Sequence, residues 1–153
     1  TSEIFARQYA MKDNAGKPKL LWELYDIEKD CIFDLTLDFM GDTPYVTDID
    51  KDGVTETTLI YKVACRSDVS PAYMKIIMHE REKKYALRGN MRVQSGEEEM
   101  IDLDSITNWD ISRMEGNHQY EWGFYETAKD FDLAPEFLPF AQKLWKDNIV
   151  EQL

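Results

Sequence analysis

No run of about 18 apolar residues occurs in this chain, so no segment of it reads as a membrane-spanning helix. Histidine and cysteine are equally scarce, two of each. With no C-x-x-C spacing and only His79 and His118 to add, a zinc site or a catalytic dithiol is not expected. The chain also lacks a G-x-S-x-G elbow, since Ser67 and Ser70 flank Asp68 without one. Positive charge is short as well. Eighteen basic residues face thirty acidic ones, and the net charge of −12 repels phosphate backbones and anionic headgroups, which argues against nucleic acid and membrane partners. No internal repeat and no linker-like stretch appears, so residues 1–153 are expected to form a single domain. The first residue is Thr1 where a Met would start an unprocessed chain, as expected of a processed or a trimmed chain; a signal peptide could have been removed, so its absence decides nothing.

Large side chains are plentiful. An apolar fraction of 43%, with eight Tyr, seven Phe and four Trp, is enough for one sizeable core. Each buried ring is worth on the order of 2 kcal/mol. Cys31 and Cys65 each lie beside a predicted strand, where neighbouring strand ends could bring them into bridging range. A bridge would favour export to the periplasm or the extracellular space; two free buried thiols, and with them a cytoplasmic protein, are the alternative.

Most of the chain reads as antiparallel β-structure. Ile4 to Met11 and Lys19 to Ile27, separated by the turn cluster Asp13-Asn14-Ala15-Gly16-Lys17-Pro18, predict a hairpin. Phe33, Leu35, Leu37 and Phe39 alternate with polar residues and predict a strand with one core face and one wet face. A short strand at Tyr45 to Thr47 follows. Thr55 to Ala64, rich in β-branched and aromatic residues, is expected to lie centrally in the sheet, with Leu59, Tyr61 and Val63 on one face and Ile60 and Ala64 on the other. Tyr73 to Glu80 and Lys84 to Arg88 predict two more strands.

From Met91 to Leu133 the pattern degrades, with glycines at Gly96, Gly116 and Gly123 and an acidic run from Glu97 to Glu99, and short irregular strands and long loops are expected. At the C-terminus Phe137, Phe140, Ala141, Leu144, Trp145 and Ile149 recur at helical spacing and predict an amphipathic helix from about Glu136 to Gln152, packed on the sheet. The expected fold class is α+β.

One stretch carries recognisable chemistry: Asp48-Ile49-Asp50-Lys51-Asp52-Gly53-Val54-Thr55-Glu56. Calcium takes six to eight oxygen ligands, and alternate side chains at Asp48, Asp50 and Asp52 can curl toward a common centre. Gly53 permits the sharp turn, Val54 can offer its carbonyl, and Glu56 can complete the shell directly or through water. The twelfth loop position is Leu59, which cannot ligate, and the flanks read as strands, so a standard EF-hand is excluded. The alternative is a solvated acidic turn that happens to have this spacing, but three crowded carboxylates repel one another without a cation. Magnesium, with its small octahedral shell, suits so carboxylate-rich a loop less well.

The spacing of Asp48, Asp50, Asp52 and Glu56 resembles the D-x-D-x-D-G-x-x-D calcium loop of FG-GAP, integrin-type propeller repeats, with Glu in place of the last Asp. The resemblance implies a strand-to-strand calcium loop; length and the lack of repetition exclude a whole propeller. The longer run through Ile60-Tyr61-Lys62, Cys65-Arg66-Ser67-Asp68-Val69-Ser70-Pro71 and Lys84-Tyr85-Ala86-Leu87-Arg88-Gly89 is similar to an uncharacterised bacterial family, some members of which carry labels tied to surface polysaccharide biosynthesis. That likeness implies a bacterial, envelope-associated protein and no particular mechanism.

Other constellations say less. His79-Glu80 could be an acid/base pair but has no nucleophile or second histidine at a telling distance, and a surface His beside a carboxylate is the commoner case. His118 reads as a loop residue. Trp109, Tyr120, Trp122, Phe124 and Tyr125 could stack on a sugar, although core packing explains them more economically. The expected function is therefore a calcium-stabilised, exported, non-enzymatic module that binds a glycan or an envelope protein. The alternatives are an enzyme acting on saccharides through carboxylates that cannot be named among thirty, and a purely structural subunit.

Overall fold

A computed structural model describes residues 1–11, 16–94, 102–116 and 122–152. Along them run β1 (Ser2–Ala10), β2 (Lys19–Glu28), β3 (Asp34–Phe39), β4 (Tyr45–Thr47), β5 (Glu56–Arg66), β6 (Tyr73–Glu80), β7 (Lys83–Asn90), β8 (Arg92–Gln94), α1 (Leu138–Asn148) and β9 (Val150–Gln152). The class is α+β, mostly antiparallel, as the period-two patterning implied. No helix among the described residues is long and apolar enough to cross a membrane.

The central position expected of β5 follows from its pairing on both edges. β6 lies along one edge, and β3 and β4 share the other, each antiparallel to β5, so that together they form one edge strand interrupted between residues 39 and 45. β7 completes the sheet beyond β6. The two faces of β5 then enter different cores. Ile60 and Ala64 pack with Met74, Ile76, Met78 and Leu87 against the C-terminal helical region, including Phe131, Phe137 and Trp145. Leu59 and Tyr61 pack with Leu37, Ile77 and Ala86 against Ile4, Trp22 and Leu24 of the β1–β2 hairpin. The molecule is thus layered as hairpin, sheet and helix, which is why the central strands read as nearly continuous apolar runs.

The clean alternation in β3 overstates its burial. Leu37 is buried, yet Phe33 and Phe39 remain exposed, because the two-stranded hairpin covers only part of that edge. Of the turn between β1 and β2, residues 12–15 lie outside the described residues.

The expected C-terminal helix is shorter than its apolar spacing suggested. A 3₁₀ turn at Pro135–Phe137 leads into α1, which ends at Asn148, and Val150–Gln152 pairs parallel with β8. Two tertiary contacts outcompete the last helical turn. One is the backbone ladder to β8. The other is Glu151, 6% exposed, whose carboxylate accepts from Lys62 Nζ at 2.8 Å and from both terminal nitrogens of Arg66 at 2.8 and 2.9 Å. Burial alone pushes the Glu151 carboxyl up, but the Arg66 and Lys62 hydrogen bonds more than reverse that and hold it at about 2, below an ordinary value of 4.5.

Because the folded value is depressed, this group stabilises the fold fully above pH 4.5 and ceases to do so as pH falls toward 2. Partial exposure of Lys62 and Arg66 screens the cluster, so about 2 kcal/mol is expected to be lost across that window. Urea unfolding of wild type and Glu151→Gln between pH 6 and 2.5 checks this. Wild type should be the more stable at pH 6, and the gap should close on acidification; a gap that stays constant with pH would rule it out.

Between β8 and α1 the chain is irregular, as expected, with short 3₁₀ turns and one isolated bridge, Asp110 to Tyr125. Asp110, 3% exposed, organises it by accepting from the Ser112 and Ala128 N–H groups at 2.9 and 3.0 Å. Gly89 lets this segment lie on β7, since a Cβ there would meet the Phe124 carbonyl oxygen at 2.3 Å. Gly96, the Glu97 to Glu99 run, His118 and Tyr120 lie outside the described residues.

Candidate metal centre at the β4–β5 loop

Residues 48–55 join two paired strands, β4 and β5, so the acidic run is a hairpin loop and not a helix–loop–helix hand. Asx turns curl it. The Asp52 N–H donates to Asp50 Oδ1 at 3.2 Å and the Val54 N–H to Asp52 Oδ1 at 2.7 Å. Lys51 and Gly53 take φ of +60° and +83°, the left-handed turns that bend the chain between alternate carboxylates; the second is the position for which the sequence supplies a glycine.

The loop brings ligand atoms together in two overlapping groups. Oxygens of Asp48, Asp50 and Glu56 lie within 4.8 Å of one another, and so do oxygens of Asp50, Asp52 and Glu80. Asp50 belongs to both. Asp48, Asp50 and Asp52 are exposed and half-buried Val54 follows Gly53, so four of the five expected ligands sit on the loop's rim. Glu56 is different, being completely buried as the first residue of the central strand.

Glu56 also carries the most telling atom in the molecule. Its Oε2 accepts from Thr47 Oγ1 at 2.8 Å and from the Ile49 N–H at 2.9 Å. Its Oε1 is buried with no hydrogen-bond partner among the described residues. Leaving a buried carboxylate oxygen unpaired costs several kcal/mol unless a cation or donor meets it.

Glu80, which sequence reasoning had set beside His79 as an acid/base pair, belongs here. The β5–β6 register places it directly opposite Glu56, and it is only 8% exposed. Like charges opposite one another in a sheet destabilise it, the more so when both are buried. Glu56 and Glu80 belong to different groups that could each hold a metal ion, joined through Asp50. Only the cross-strand register could have revealed Glu80, because in sequence it stands 24 positions beyond Glu56.

His79 takes no part in this chemistry. Its side chain leaves the opposite face of β6, stacks on Trp22 at 4.3 Å between ring centroids and is 5% exposed. Burial, followed by the nearby Lys84 cation, pushes its pKa down to about 4, so it is neutral at physiological pH. The aromatic cluster of the irregular region is divided. Trp109 and Tyr125 are core residues, the latter edge-on to Trp145, whereas Trp122 is 45% exposed.

At the far end of β5 the two cysteines form a disulfide, Cys31–Cys65, with Cα atoms 5.7 Å apart. The bridge is not buried, since Cys65 is exposed and Cys31 half-buried, so the alternative of two sequestered free thiols does not hold.

Beside the loop opens a cleft of about 600 Å³ whose walls include Asp50, Asp52 and Glu80. The acidic groups can hold a metal ion, with Glu56 at the bottom and the three aspartates above it. Compared with known proteins, the chain matches no family model, no curated protein and no solved structure.

Proposed function

We propose that this chain is a calcium-stabilised, non-enzymatic module acting outside the cytoplasm, in which one Ca²⁺ joins the β4–β5 loop to the centre of the sheet. Asp48, Asp50, Asp52, Glu56, Glu80 and the Val54 carbonyl supply its oxygens. The observation that carries the reading is the orphaned, fully buried Oε1 of Glu56, a residue whose carboxylate lies within 4.8 Å of those of Asp48 and Asp50. Six oxygens, five of them carboxylate, suit the large and adaptable calcium shell better than the strict octahedron of magnesium. The FG-GAP-like spacing agrees with a strand-to-strand calcium loop, and the disulfide agrees with an oxidising compartment.

A saccharide-cleaving enzyme is the competing reading, since the cleft is lined by acids. Glycosidase carboxyl pairs stand about 5 to 9.5 Å apart, leaving room for a sugar or water between them. Here the oxygens of Asp50, Asp52 and Glu80 approach within 4.8 Å, a spacing that suits a shared cation better.

Isothermal titration of the chelator-treated protein with CaCl₂, repeated with MgCl₂, tests the site. One-to-one binding of calcium is expected, at least about tenfold tighter than magnesium, with Glu80→Gln weakening it by about a further tenfold or more. No heat with either ion, with the protein folded, would defeat the reading.

A further inference from the structure

We propose that the bound calcium faces the adjoining cleft and there coordinates a neutral saccharide through two neighbouring hydroxyl groups. This rests on the calcium reading above and names the ligand of the same site. Three observations lead to it.

The first is position. Asp50, Asp52 and Glu80 are at once the second group of cation ligands and part of the cleft wall, so an ion among them looks out into a space of about 600 Å³. That volume lies within the usual range for small-molecule sites. If each of the five carboxylates gives one oxygen and Val54 gives its carbonyl, six positions are filled. Calcium accepts up to eight, which leaves two for outside oxygens. Two vicinal hydroxyls meet that demand from one molecule.

The second is charge. The cleft is lined by five carboxylates, Asp50, Asp52, Glu80, Glu82 and Glu136, and by three cationic side chains, Lys19, Arg81 and Lys83; with Asp48 and Glu56, which also hold the ion, the balance is −4, and one Ca²⁺ leaves it at −2. An anionic ligand would then gain no net attraction. A neutral polyhydroxylated one would find both acceptors and donors, because the remaining carboxylates, such as Glu136, accept from hydroxyls and the ammonium groups donate to them.

The third is shape and polarity. Leu21, Tyr85, Leu133 and Phe137 contribute an apolar wall, and Leu133 stands 94% exposed at the margin. The C–H face of a pyranose covers such a surface while its hydroxyl edge points to the ion.

The test is saturation-transfer NMR of the intact protein with a panel of neutral methyl glycosides and one methyl uronide, in calcium and in EDTA. Calorimetry with CaCl₂ and a circular dichroism spectrum accompany each sample. At least one neutral glycoside is expected to bind in calcium and to weaken about tenfold or more in EDTA while the protein stays folded. Leu133→Ser should weaken the glycoside several-fold yet leave the calcium isotherm unchanged, since the substitution adds no charge and that side chain stands 94% exposed at the cleft margin. Calcium binding without any glycoside signal overturns the cleft assignment and leaves the calcium site standing. Equal glycoside binding in EDTA overturns coordination by the ion, and a uronide preferred over every neutral sugar overturns the charge argument. Absence of calcium binding removes both.

Discussion

Calcium at a hundredfold excess over its Kd is expected to stabilise this protein by about 2.7 kcal/mol, and hence to raise its melting temperature by about 5 to 10 °C over the chelated form. Glu56→Gln should fall on opposite sides of wild type with and without calcium. In the absence of calcium, wild type carries two buried carboxylates face to face, Glu56 and Glu80, with Glu56 Oε1 unpartnered among the described residues. The amide keeps an oxygen to accept from Thr47 and Ile49 and places an NH₂ donor where the orphan oxygen was. In EDTA the variant should therefore melt higher than wild type, by about 1 to 2 kcal/mol of stability. In calcium it should melt lower, because the ion loses its most buried ligand. Melting curves of both proteins in both buffers decide the matter. A variant less stable than wild type in both, with no calcium effect on either, would mean that Glu56 is a plain structural acceptor.

Removing the disulfide should have an effect of comparable size by a different route. Cys31 and Cys65 are 34 residues apart in sequence, and opening a loop of that length adds about 3 to 4 kcal/mol of conformational freedom to the unfolded chain. The double variant Cys31→Ser, Cys65→Ser should melt about 10 °C lower. It should also show a larger denaturant m-value, because the unfolded chain expands when the cross-link is gone. An unchanged m-value with a large drop in stability would place the effect in the native packing instead.

The two stabilising devices should act independently, since Glu56 and Cys65 stand at opposite ends of one strand, roughly 30 Å apart at about 3.3 Å per residue. Calcium is accordingly expected to raise the melting temperature of the cysteine variant as much as that of wild type. A lost calcium effect there would mean that the bridge also sets the loop geometry. Glu56 and Cys65 both lie on β5, the strand whose two faces enter different cores.

How much of this was legible beforehand differs from element to element. The strands β5, β6 and β7 were readable because burial on both faces fills them with β-branched, aromatic and other apolar residues between turn clusters. The turn chemistry of Asp48 to Gly53 was readable for a similar reason, since a chelating loop draws its ligands from adjacent positions and must state them locally. Phe33 and Phe39 misled in part, because alternation reports which way a side chain points and not how far the opposing hairpin extends.

The local sequence by itself determined the acidic spacing of Asp48, Asp50, Asp52 and Glu56 on which the proposed cation site rests, the order of the strands along the chain and the apolar stripe of α1, all matters of spacing within one turn or one strand. The tertiary structure alone decided that Glu80 faces Glu56, that Cys31 meets Cys65, and that Glu151 leaves the helix to join Arg66 and Lys62. These depend on which strands pair and in which register, and that choice is made by the burial of both faces of β5 at once, an energy shared across the whole chain and written at no single position.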